Sequence, residues 1–225
     1  MDEEQGLPDQ GPSGPGGTGQ DPTAASVFDA LGADYERAFG GSAAHRASLE
    51  SLLERIAPGS RVLDVGSGTG RPTARTLADA GHEVLGVDVS PVMVDIASRQ
   101  VPGAEFRCAD IRELHLEEAS FDAVCVYFSL LQLSRAEQRD VLHRSARALR
   151  PGGHLAVATV PLDLEGVSGV FMGQPVRVTS FGEDAFADVV TEAGFTVLER
   201  ESALFTPTHP AGVPEPHLFL LARRH

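Results

Sequence analysis

The chain of 225 residues has no lysine, no asparagine and no tryptophan, and all 18 of its basic residues are arginine. Against 32 acids, the formal net charge is −14. Nucleic-acid phosphates require a basic surface, so DNA and RNA are poor targets for this chain. The acidic excess is not confined to one end. Met1–Ala24 carries five acids and no base, and the remainder still carries −9. The exclusive use of arginine matches the codon bias of a GC-rich bacterial genome and has no catalytic meaning. Cysteine is scarce too. Cys108 and Cys125 fall on or beside predicted interior strands, and both are expected as buried, reduced thiols. Histidine and cysteine show no metal-ligand spacing, so no metal site is expected. No serine-centred nucleophile motif is present. No apolar run is long enough to span a membrane. The acidic start, Met1-Asp2-Glu3-Glu4, lacks the features of a secretory signal, so the expected location is the cytoplasm.

What is present suits one sizeable domain. Residues 1–24 are rich in Gly, Pro, Gln and Asp, a composition that cannot offset its ordering entropy, and are expected as a disordered tail. From Ala25, Val27, Phe28, Leu31, Tyr35 and Phe39 recur at mostly helical spacing. Leu49, Leu52, Leu53 and Ile56 mark a second helix, stopped by Pro58-Gly59. Strands are then predicted at 61–65, 83–88, 104–108, 121–128, 154–160, 195–204 and 216–222, mostly alternating with helices. Ser134-x-x-Glu137 and Ser180-x-x-Glu183 read as capping boxes, Ser90-Pro91 as a helix start, and Pro72 as a first-turn residue. Residues 161–179 show no sustained period and are expected as a loop carrying much of the substrate wall. The alternation predicts an α/β doubly wound sheet.

The organising stretch is Arg61-Val-Leu-Asp-Val-Gly-Ser-Gly-Thr-Gly-Arg71. Val62, Leu63 and Val65 make a strand buried on both faces. Gly66, Gly68 and Gly70 then let the chain turn sharply and let a ligand lie against bare backbone. Amides exposed at a helix start favour a polar or anionic group. The next strand ends in Asp88, 22 residues after Gly66, a distance that suits a carboxylate on the two hydroxyls of a ribose. A dinucleotide fingerprint would need its third glycine where Arg71 stands, which disfavours a nicotinamide oxidoreductase.

Asp64-Val-Gly66-Ser-Gly68-Thr-Gly70 followed by Asp88 resembles the cofactor site of class I, Rossmann-like, S-adenosylmethionine-dependent methyltransferases of bacterial small-molecule type. The resemblance covers residues 25–225. It implies a mostly parallel seven-stranded sheet of order 3-2-1-4-5-7-6, closed by an antiparallel hairpin. It further implies a helical lid over 25–57, a cofactor-binding core over 61–160, and a substrate-side loop, helix and hairpin over 161–225. It places Asp64, Gly66, Ser67, Gly68 and Gly70 against S-adenosylmethionine. Asp88 and Val89 follow at the ribose, Asp110 and Ile111 at the adenine, and Tyr127 and Tyr35 nearby. Asp110 could equally be a turn residue, and Tyr35 a packing residue.

Methyl transfer needs alignment and exclusion of water more than a dedicated group, although a phenol, hydroxyl or acidic carbon acceptor wants a base. Candidates are His209, His45 and Tyr35. His217 also lies beside the last loop, while Glu215 there reads as solvated. Position 132 holds Gln where related sequences often present His. The expected partner is a small organic acceptor, plausibly a secondary metabolite, and not nucleic acid or membrane. A homodimer is compatible with the sequence. The alternatives are a non-transfer reaction such as cyclisation on the same fold and cofactor, and a non-catalytic cofactor-binding partner protein.

Overall fold

A computed structural model describes residues 23–210 and 212–225. Most of the expected 1–24 tail lies outside the described residues. Its last two positions do not: Thr23 caps the first helix and Ala24 begins it.

Three helices lead the described chain: α1 (Ala24–Leu31), α2 (Ala33–Phe39) and α3 (Ala43–Leu53). The single helix predicted through Phe39 is broken at Gly32, whose φ of +49° ends α1. The core then alternates β1 (Arg61–Val65), α4 (Thr73–Asp79), β2 (Glu83–Asp88), α5 (Pro91–Gln100), β3 (Glu105–Cys108), β4 (Phe121–Tyr127), α6 (Arg135–Ala148) and β5 (Leu149–Thr159). A hairpin, β6 (Val167–Phe171) and β7 (Gln174–Val178), precedes α7 (Glu183–Glu192), β8 (Phe195–Phe205) and β9 (Glu215–Arg224).

Seven strands form one sheet in the order β3-β2-β1-β4-β5-β9-β8. This is the order implied by the resemblance, with β8 and β9 as its sixth and seventh strands. β1 to β5 pair in parallel, and β9 is antiparallel to both β5 and β8. Alternate residues of the central strands face opposite sides. On one side Leu63, Val65, Val124, Val126 and Leu155 pack with Leu142 of α6 and Phe186 and Val190 of α7. On the other Val62, Ala123, Cys125 and Ala156 pack with Leu49 and Leu52 of α3 and Leu77 of α4. Each such Val, Leu or Phe side chain, fully buried, stabilises the fold by about 1.5–3 kcal/mol.

Several local expectations are corrected. Residues 167–178 form a hairpin rather than a loop, and it rests on α1: Val176 joins Val27 and Leu31, with Phe171 and Met172 against them. The pattern hid this because its outer strand is almost wholly exposed. Gly182, not Ser180, caps α7, because the Ser180 hydroxyl is engaged by the Leu162 amide at 3.1 Å. Pro72 is the cap before α4 rather than a residue within its first turn. β5 begins at Leu149, pairing with Phe121 before its register shifts. Cys108 is exposed, since β3 is an edge strand; Cys125, in central β4, is buried. Ser90, Pro91 and the Ser134–Glu137 box cap α5 and α6 as expected.

Candidate active site

The glycine loop joins β1 to α4 at the carboxyl edge of the sheet. The amides of Gly66 and Ser67 donate to the Val87 carbonyl at 2.8 and 3.1 Å, which docks the loop on the end of β2. Gly66 has φ +69°, and a Cβ there would lie 2.2 Å from the Ser129 Cβ, so the loop presses on the segment after β4. Gly68 has φ +52° and open space where its Cβ would be. Its amide donates to Asp88 Oδ2 at 2.8 Å, while Asp88 Oδ1 accepts from the Ser90 amide at 2.9 Å. Burial raises the Asp88 carboxyl above its usual range despite these bonds. Each carboxylate oxygen can accept more than once, so capacity remains for a ligand.

Asp64 is 2% exposed and its Oδ2 has no partner. Burial, with Asp88 nearby, pushes its carboxyl up to about 7. The hydroxyls of Ser67, Thr69 and Ser129 are also buried without partners. Native structures rarely leave such a set unsatisfied. These groups surround two adjoining cavities. One is lined by Gly66, Gly68, Val87, Asp88, Val89, Asp110 and Ile111. The other holds Asp64, Ser67, Thr69, Arg71, Thr73 and His45.

A third, larger cavity opens beside these, under α1 and the β6–β7 hairpin. Its lining is mostly apolar, with Phe28, Phe39, Leu131, Val160, Val170 and Val176, and with Gln132, Glu215 and His217 as polar members. Phe28, Tyr35, Phe128, Ser129 and Gln132 line both it and the first cavity, so the two share a seam. Tyr35 is clamped edge-on by Phe28 and stacked on Phe39, with centroids at 5.5 and 5.1 Å. Burial, reinforced by Glu215 and Asp88, raises its phenol well above the ordinary tyrosine range, so it stays protonated.

Residues 62–153 match the model of a family described as a methyltransferase domain. Over 166 residues the chain is 30% identical to an uncharacterized methyltransferase of Synechocystis sp., covering 69% of this chain and 75% of that relative. The chain belongs to the class I S-adenosylmethionine-dependent methyltransferase family. A crystal structure of Burkholderia thailandensis 1,6-didemethyltoxoflavin-N1-methyltransferase with bound 1,6-didemethyltoxoflavin and S-adenosylhomocysteine is similar in fold. Its TM-score is 0.68 at 26% identity, covering 89% of this chain and 86% of that one. An O-methyltransferase of Pyrenophora dematioidea is 30% identical over 174 residues, 70% of this chain; the chain spans 62% of that relative's length.

The residues of this chain fit the family's cofactor, S-adenosylmethionine. An open glycine beside Asp88 leaves room for a ribose against the backbone. The orphaned Asp64 oxygen, in a cavity that also holds Arg71, suits the ammonium and carboxylate of an amino acid. Ten of the eleven expected cofactor residues line one or both of the first two cavities: Asp64, Gly66, Ser67, Gly68, Asp88, Val89, Asp110, Ile111, Tyr127 and Tyr35. Gly70 does not; it packs beneath the loop, where a Cβ would meet Val101 and Phe106. The Asp110 carboxylate is already held by Arg112, whose amide and guanidinium reach it at 2.6–3.0 Å and keep it below the usual carboxylate range.

The base candidates separate clearly. His45 is buried, with its Nε2 3.1 Å from the Thr73 hydroxyl, and burial lowers it to about 3. It is neutral at ordinary pH and lines the Asp64 cavity. His209 lines none of the three cavities. Tyr35 stands at the seam as a protonated phenol. Glu215, expected to be solvated, is instead partly buried against His217. The signal for that pair was the alternation Glu215-x-His217-x-Phe219, which puts all three on one strand face. It was outweighed because a strand's direction is not visible in its own sequence.

Proposed function

We propose that this chain transfers the methyl group of S-adenosylmethionine to a small organic acceptor, a secondary metabolite, in the cytoplasm. The observation that carries the reading is the seam at Phe28, Tyr35, Phe128, Ser129 and Gln132, where the cofactor-side cavity meets a larger apolar one. The cofactor, when bound, supplies an electrophilic methyl carbon on a sulfonium. Gly68, Asp88 and Val89 would hold its ribose, Asp64 and Arg71 its amino-acid end, and Asp110 and Ile111 its adenine. Phe28 and Tyr35 close over the seam, excluding water and fixing the approach of the acceptor. Alignment of this kind is worth as much as ~7–11 kcal/mol of barrier. The apolar lining favours a compact organic molecule over a charged polymer, in keeping with the net charge of −14.

The test is incubation of the full chain with S-adenosylmethionine and a varied acceptor panel, read by mass spectrometry. A methyl mass increment with release of S-adenosylhomocysteine supports the reading. An acceptor rearranged without mass change or cofactor consumption would favour cyclisation instead. Absence of S-adenosylhomocysteine binding by calorimetry would remove both.

A further inference from the structure

The antiparallel course of β9 carries its first residues to the carboxyl edge of the parallel strands, since Leu218 pairs with Thr159 at the end of β5. Glu215 and His217 arrive there on one face. His217 is 3% exposed and lines both the Asp64 cavity and the large apolar cavity. Its imidazole is held by Phe128 and Phe205, with centroids at 4.4 and 5.2 Å. Its Nε2 lies 2.8 Å from Glu215 Oε1. A carboxylate can only accept, so Nε2 donates, and in the neutral ring Nδ1 is then the unprotonated nitrogen. Nδ1 is buried and has no hydrogen-bond partner. A buried acceptor without a partner is costly, and the partner still to come is a hydrogen-bond donor on whatever fills the cavity.

We propose that His217 is a catalytic base, positioned by Glu215, and that the acceptor is therefore a hydroxyl compound of the phenol or enol class. This rests on the methyl-transfer reading above. The acceptor O–H bond breaks, its proton passes to Nδ1, and the electron pair stays on oxygen. That pair forms the new bond to the methyl carbon as the carbon–sulfur pair returns to sulfur, which cancels the sulfonium charge. The imidazolium lies against the Glu215 carboxylate until solvent takes the proton after release. The orientation is that of a histidine held in one tautomer by a carboxylate. The other titratable groups on the cavities that His217 lines are Tyr35 from α2 and His45 from α3, which stay neutral at working pH, and Glu36, Asp64 and Arg71. Glu215 is the charged group in direct hydrogen-bond contact with the ring.

The experiment uses the full chain, with 2-naphthol, catechol and 4-nitrophenol as hydroxyl probes and 2-naphthylamine and aniline as amine counterparts. Wild type is expected to methylate at least one hydroxyl probe. His217→Gln should still bind S-adenosylhomocysteine yet slow that reaction by about 10²–10⁴-fold, with rate returning as rising pH ionises the probe. Glu215→Gln should lose less. Because His217 is buried and its variant could misfold, the ring is also read directly. Nitrogen-15 spectra of wild type saturated with S-adenosylhomocysteine at pH 8 should show the His217 proton on Nε2. A proton on Nδ1 overturns the proposal whatever the kinetics. So does methylation of amines alone, failure of every hydroxyl probe while S-adenosylhomocysteine binds, or full rate in a folded His217→Gln. Wild type that does not bind S-adenosylhomocysteine overturns the methyl-transfer reading itself.

Discussion

The Gly68 amide donates to Asp88 Oδ2 at 2.8 Å, so the carboxylate ending β2 grips the loop that leaves β1. The same side chain takes the Ser90 amide with its other oxygen and so also sets the start of α5. Asp88 is a structural brace for three elements before any ligand arrives.

Asp88→Ala should therefore weaken S-adenosylhomocysteine binding by about 10–100-fold, the cost of about 1.5–3 kcal/mol for a charge-assisted bond lost at the site. Asp88→Asn should lose less, because an amide oxygen still accepts. Titration calorimetry measures both, and unchanged affinity in Asp88→Ala would take the residue out of the site.

The first two glycines of the loop should respond oppositely to substitution. Gly66→Ala forces a Cβ to 2.2 Å from the Ser129 Cβ at φ +69°, and should lower thermal stability markedly. Gly68→Val meets no protein atom within 4 Å at its Cβ, so the fold should survive, although φ +52° strains a β-branched residue, while ligand space is filled. Circular dichroism should show a folded Gly68→Val variant, and titration with S-adenosylhomocysteine should show almost no binding. Normal affinity in that folded variant would contradict the placement of the site.

Asp64 sets a trade between stability and binding. Its folded value of about 7 exceeds the ordinary 3.8, so ionisation is opposed in the fold. The resulting loss of stability is absent below about pH 4, grows as pH rises towards 7, and is constant above; the shift corresponds to ~4 kcal/mol. Asp64→Asn should thus melt higher than wild type at pH 8, with the gap closing towards pH 4. It should also bind S-adenosylmethionine more weakly. Equal melting temperatures at pH 8 would show that Asp64 carries no such penalty.

His45 acts in the acid range. Its value of about 3 lies below the ordinary 6.5, so its contribution to stability is full above pH 6.5 and is lost as pH falls from there towards 3. Replacing it by Gln should flatten that part of the stability profile, as read by urea midpoints from pH 7 to pH 4. A profile as steep as wild type would assign the acid sensitivity elsewhere.

Much of this was legible in the residues. The apolar run 62–65, the glycines, and Asp88 at the end of the next apolar run specify strand, turn and carboxylate by local chemistry alone. So do Ser90-Pro91 and the Ser134–Glu137 box, whose bonds span only a few residues. What the pattern concealed depends on distant partners. Ser180 is taken by the Leu162 amide and so leaves its helix to Gly182. Cys108 looks interior until β3 proves to be an edge. Glu215 looks like a solvated loop residue, and His217 like a strand-end residue beside it, until β9 runs backwards along β5.

The roof over the large cavity has its own small core, with Val27, Leu31 and Val176 separate from both sheet cores. One half of that roof precedes the first sheet strand, and the other is inserted after β5. On the proposed function, the residues that would hold the cofactor are therefore encoded apart from much of the surface that would select its partner. Insertions or exchanges in the β6–β7 hairpin would then retune the choice of acceptor while the Gly68–Asp88 brace stays as it is. A chain built this way can acquire new chemistry by editing a dozen residues of roof.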